Sequence, residues 1–89
     1  MNVRFTKTAD KELKAWIKSD RSSAKKIYDL ISDIQEHGLL GGRGHPEQLK
    51  YYQNPARFSR HINRVDRLVY SSQGNDILII SCKGHYDDT

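Results

Sequence analysis

Glu47, Arg67, His85 and Tyr86 give this sequence a base, a cation, an acid and an aromatic ring. Such a set can cut RNA without a metal. A carboxylate takes the proton of a 2′-hydroxyl, a guanidinium offsets charge on the phosphorane, and an imidazolium protonates the departing 5′-oxygen. The ring of a tyrosine can stack on a base or hydrogen-bond a phosphate.

Each of these residues also has an ordinary reading. Glu47 lies in Gly44-His45-Pro46-Glu47-Gln48-Leu49-Lys50, where the proline fixes the entry to a short extended segment; paired with Arg60 or Arg64 it would be a surface ion-pair partner. Arg67 opens the strand-like Leu68-Val69-Tyr70, a rigid base for a bidentate phosphate clamp or for a cross-strand ion pair. Lys50 can meet a neighbouring phosphate as a point charge or stay solvated. His85 follows an apolar run, and imidazole suits an acid working near neutrality. Cys82-Lys83-Gly84-His85 imitates half of a zinc site, but no second ligand cluster has matching spacing. Neither a metal nor another cofactor is expected.

Two helices and a set of strands must position these groups. Val3 to Thr6 reads as a first strand, followed by a helix capped by Thr8 or Asp10 with apolar residues at 9, 13, 16 and 17. Ser22 or Ser23 can cap a second helix, whose Ala24, Ile27, Ile31 and Ile34 face one way and which stops at His37-Gly38. A glycine-rich, proline-stopped loop from Gly41 to Pro46 comes next. Arg57 to Ile62, Arg67 to Ser72 and Asp76 to Lys83 read as strands, with turn residues at Asn63 to Asp66 and Gln73-Gly74-Asn75. The expected class is α+β: two N-terminal helices covering one face of a small twisted antiparallel sheet, the other face free to bind.

Eighty-nine residues suffice for one domain, taken here as 1–89. The longest apolar run, Ile77 to Ile80, is too short to span a membrane, and no signal-peptide pattern opens the chain. One cysteine cannot form an internal disulfide, which agrees with a cytoplasmic location. The net charge of +4 is concentrated between residues 43 and 67, where six basic side chains face two acidic ones. Tyr51, Tyr52, Phe58 and Tyr70 are interleaved with those charges, the mixture that RNA sites use for phosphate contact and base stacking.

In order of elements throughout, and in motif from Gly44 to Tyr86, the chain resembles the YoeB/Txe family of bacterial toxins in the RelE-like superfamily. The family's Lys-Pro-Glu-Pro-Leu-Lys stands here as His45-Pro46-Glu47-Gln48-Leu49-Lys50, its Arg-Leu-Val-Tyr as residues 67–70, and its terminal His-Tyr as His85-Tyr86. The resemblance implies a RelE-like, microbial-ribonuclease-like fold. It also implies a metal-independent endoribonuclease that cleaves mRNA in the ribosomal A site by 2′-OH transesterification and so inhibits translation. Glu47 would be the base, Arg67 the transition-state cation, His85 the acid and Tyr86 the residue that orients substrate, with Lys50, Arg60, His61 and Lys83 holding RNA. Implied partners are mRNA and the bacterial ribosome, a YefM/Phd-like antitoxin, operator DNA through the antitoxin complex only, and a second copy of the chain; no membrane is involved.

Three departures from the family pattern stand out. Trp-Ser-Arg-Arg-Ile becomes Phe58-Ser59-Arg60-His61-Ile62, which makes one phosphate contact titratable. Gln48 replaces the second proline, and Asp87-Asp88-Thr89 follow the tyrosine. The alternative reading is a non-catalytic RNA- or ribosome-binding module, or a co-repressor subunit, using the same basic face.

Overall fold

The computed structural model describes residues 2–84. The elements are β1 (Val3–Phe5), α1 (Lys7–Ser19), α2 (Arg21–His37), β2 (Glu47–Gln53), β3 (Ala56–His61), β4 (Arg67–Gln73) and β5 (Asp76–Ser81). The five strands form one sheet in the order β1-β5-β4-β3-β2. All neighbours are antiparallel except β1 and β5, which run parallel with Val3 opposite Ile77.

The helices begin earlier than their sequence signals suggest. Thr6, not Thr8 or Asp10, caps α1: its hydroxyl accepts from the Ala9 N–H at 3.0 Å and donates to the Ile80 carbonyl at 2.7 Å, fastening the helix start to β5. Asp20, not Ser22 or Ser23, caps α2, and both serine hydroxyls donate to its carboxylate. Asp20 also closes α1, its N–H bonding the Trp16 carbonyl at 2.8 Å. A single residue thus turns the chain between helices. At the far end Gly38, at φ 89, ends α2 as the sequence predicts.

Ala9 and Leu13 of α1 and Ala24, Ile27, Leu30, Ile31 and Ile34 of α2 pack on Phe58, Leu68, Tyr70, Ile77, Ile79 and Cys82 of the sheet side. Trp16 joins this core at its margin and donates its indole N–H to the Cys82 carbonyl at 2.8 Å. Ile17, expected in the same stripe, is 40% exposed. The opposite face of the sheet is less open than expected. Leu49 and Val69 are buried outside the helix-side core, and Ser59 and Ser71 are buried as well. The segment after Pro46 is a full seven-residue strand with an irregular register between Gln48 and Gln53, not only a short extended entry. Such a bulge bends and twists an edge strand.

Candidate active site

Strand register decides which side chains meet. Glu47 on β2 lies opposite Ser59 on β3, and His61 on β3 lies opposite Arg67 on β4. Side chains alternate along a strand, so Ser59 and His61 share a face, and Glu47, His61 and Arg67 stand together on it. That face is turned away from the helices, whose core takes Phe58, Leu68 and Tyr70 from the same two strands.

A small network braces Arg67 and the end of the described chain. The Asn63 carboxamide oxygen accepts from the Val65 and Asp66 N–H groups at 2.8 and 2.7 Å, closing the β3–β4 turn in the manner of an Asx turn. One terminal nitrogen of Arg67 donates to the carbonyls of Asn63 at 3.1 Å and Asp66 at 3.3 Å. Its backbone N–H bonds the Gly84 carbonyl at 2.9 Å, while the Gly84 N–H bonds the Asp66 carboxylate at 2.8 Å. The residue preceding His85 is therefore held beside Arg67. His85 and Tyr86, the expected acid and orienting ring, lie outside the described residues, as does the Asp87-Asp88-Thr89 tail. Of the expected RNA contacts, Lys50 and Lys83 are exposed and His61 is half-buried. The Lys50 ammonium sits 5.8 Å from the centre of the Tyr51 ring.

Arg60 corrects the sequence-based expectation. It is wholly buried on the helix side, where its Nε donates to the Tyr70 hydroxyl at 2.9 Å. One terminal nitrogen donates to Asp33 at 3.1 Å and to the Arg43 carbonyl at 2.8 Å; the other donates to the carbonyls of Gly38 at 2.9 Å and Gly41 at 2.6 Å. A guanidinium engaged in this way is an internal strut, not a phosphate ligand. Its partners are the end of α2 and the loop leading to Glu47. That loop is close-packed: a side chain at Gly42 would collide with Asp33, and one at Gly44 with Leu30 and Arg60.

Asp33 is the anionic counterpart. The Arg43 backbone N–H, and then the charges of His37, Arg43 and Arg60, hold its carboxyl below the ordinary range against the opposing effect of burial. A carboxyl lowered in the folded state stabilises the fold above its unfolded value of 3.8, and that contribution is lost as pH falls through the folded value. Asp33→Asn should therefore unfold at lower urea than the parent at pH 6, with the gap closing below about pH 4. Urea midpoints measured from pH 2 to 6 check this; a constant gap would contradict it. Burial pushes the Tyr70 hydroxyl up, partly offset by Arg60. Burial likewise pushes the Cys82 thiol up to about 12, which makes it a poor nucleophile or metal ligand. Among the described residues no group of three His, Cys, Asp or Glu side chains could hold a metal ion.

The family model for the YoeB-like toxin of bacterial type II toxin-antitoxin systems matches residues 5–86. The chain belongs to this family. Toxin YoeB of Escherichia coli K12 is 39% identical over 72 residues, covering 80% of this chain and 82% of the relative. The YoeB dimer structure from Staphylococcus aureus superposes with a TM-score of 0.87 at 40% identity, covering 97% of this chain and 98% of that one. A heterotetrameric YoeB-YefM complex from the same organism gives 0.85 at 40% identity, with the same coverage. The YoeB match runs through Glu47, Arg67, His85 and Tyr86 and stops before the tail.

Sequence reasoning passed over His45, which the structure places beside His61 with ring centres 5.2 Å apart. It also passed over Asp33. The available signal was an acid set among Leu30, Ile31 and Ile34 in an apolar helical stripe, a position that requires a buried partner.

Proposed function

We propose that this YoeB-family chain is a metal-independent endoribonuclease that cleaves mRNA in the ribosomal A site and so halts translation. The observation that supports it most is the shared sheet face of Glu47, His61 and Arg67, with Gly84 bonded to the Arg67 backbone. Glu47 removes the 2′-hydroxyl proton, and the 2′-oxygen attacks the adjacent phosphorus. Arg67 stabilises the phosphorane. The 5′-oxygen departs with a proton from His85, leaving a 2′,3′-cyclic phosphate and a free 5′-hydroxyl. Tyr86 orients the substrate, Lys50, His61 and Lys83 hold its backbone, and Arg60 acts from beneath as a brace.

The toxin works in the cytoplasm, where its ribosomes are. The chain is one functional unit over 1–89, restrained by a YefM-like antitoxin that alone brings it to operator DNA. The solved YoeB dimer and YoeB-YefM complex of S. aureus support self-association and antitoxin binding as properties to test here. Among the described residues no helix is long and apolar enough to cross a membrane.

End-labelling the products formed on programmed ribosomes tests the chemistry. Cleavage in chelator, with ribosome integrity restored separately, should yield 5′-hydroxyl and cyclic or 3′-phosphate ends. Products with 5′-phosphates would mean attack by water and a different mechanism. Binding without cleavage would favour the non-catalytic module.

A further inference from the structure

We propose that His45 and His61 form a pH-gated subsite for an RNA backbone phosphate beside the reacting one, an inference that rests on the nuclease reading above. The two rings lie 5.2 Å apart, tilted by 47°. That spacing lets one phosphodiester, with two anionic oxygens, accept from both imidazoles at once.

The pair is built into the fold. The His61 N–H donates to the Gly44 carbonyl at 2.7 Å, tying the residue before His45 to the end of β3. Gly44 sits at φ 90, a conformation that favours glycine, and a side chain there would press on Leu30 and Arg60; Pro46 restricts the other flank. His45 is held between them at φ 53, a conformation that non-glycine residues adopt at a cost and that collects at functional sites. Arg60 clamps the carbonyls of Gly38, Gly41 and Arg43 in the same loop. A preformed pair loses little freedom when an anion arrives.

Two neighbouring imidazolium ions repel, and a phosphate between them relieves the repulsion. Anion binding and proton uptake are consequently linked. Protonated imidazole favours the bound state, so this part of the affinity is present at low pH and lost as pH rises through the bound-state values.

The elements next to the pair carry further charges: Arg43 and Glu47 on its own loop and strand, Arg64, Asp66 and Arg67 on the following turn and β4, and the Asp33, Arg60 and His37 group that holds the loop. Carboxylates and guanidinium groups ordinarily keep their charge between pH 6 and 8. His37, which lies 3.7 Å from Asp33, and His85 are the groups to separate from the pair.

The test is equilibrium binding of a short single-stranded RNA, 2′-O-methylated so that it cannot be cut, to the full chain at constant ionic strength. Fluorescence anisotropy reads the affinity. Wild-type affinity should fall about tenfold or more between pH 6 and pH 8. The double variant H45K/H61R should hold its pH 6 affinity at pH 8 within about twofold, because its charges are permanent. H45Q/H61Q should be weak at both pH values, and H37Q should keep the wild-type slope. Circular dichroism confirms that each variant is folded. A flat wild-type profile with ribosomal cleavage intact would overturn the subsite alone, whereas loss of RNA affinity and cleavage at every pH would overturn the nuclease reading with it. A slope that survives in H45K/H61R would place the proton elsewhere and also overturn the subsite.

Discussion

Glu47→Gln should lower the single-turnover rate on programmed ribosomes by roughly 10²- to 10⁴-fold, the usual worth of general acid–base assistance. The substitution keeps the shape of the side chain and removes its ability to take a proton. Glu47 is exposed at the first position of β2, so the change leaves the core untouched. Stability should stay within about 0.5 kcal/mol of the parent, as surface substitutions usually do. Induced expression reads the same contrast in cells: the parent arrests growth and degrades message, while the variant accumulates as folded protein. A variant that cuts at the parental rate would remove the carboxylate from the mechanism. If parent and variant were equally harmless and mRNA stayed intact, the module reading would be the better one.

Arg60→Met should be the most destabilising single change on this side of the molecule. It removes a wholly buried cation, leaves the Tyr70 hydroxyl and the carbonyls of Gly38, Gly41 and Arg43 without this donor, and leaves the Asp33 carboxylate with the Arg43 N–H but without its buried guanidinium. Removing one partner of a buried ion pair typically costs about 3–5 kcal/mol, a large part of the roughly 5–15 kcal/mol that holds a domain folded. Arg60→Lys should recover little, because an ammonium cannot reproduce the planar fork that serves these acceptors. Chemical denaturation measures the loss, and amide exchange across residues 38–46 shows whether the loop loosens first. A surface RNA contact would behave in the opposite way, with stability intact and RNA affinity reduced.

Arg60 also shows what was legible in the sequence and what was not. Phe58, Arg60 and Ile62 are spaced by two, so on a strand they share a face, and Phe58 and Ile62 are plainly core residues. The alternation points Arg60 inward; the resemblance to the family implied an RNA contact instead. The helices were legible because their apolar period of three to four is strong, yet both caps were misplaced. Asp20 serves two helices at once, a use that a scan for one cap per helix does not find. The antiparallel order of β3, β4 and β5 followed from turn residues. The extended segment after Pro46 was legible but not its full length as β2, because four of the seven side chains, Glu47, Gln48, Lys50 and Gln53, are polar or charged, and an edge strand needs few apolar residues. Glu47 and Arg67 could be named from motif, but only register shows that His61 lies on their face. The pairing of His45 with His61 depends on a left-handed residue in the loop, which no local pattern announces.

The parallel edge has a consequence for how such a protein is born. Val3 hydrogen-bonds alongside Ile77, and the Thr6 hydroxyl that starts α1 leans on Ile80. The two helices can form while the chain is still being made, but the sheet cannot close around its first strand until the fifth has been synthesised. Contacts this distant in sequence form late, because the intervening chain must be ordered first. Glu47 and Arg67 are translated well before the frame that holds them is complete. The face that carries Glu47, His61 and Arg67 on β2, β3 and β4 thus gains its flanking strands only when β5 pairs with β4 and β1 docks on β5.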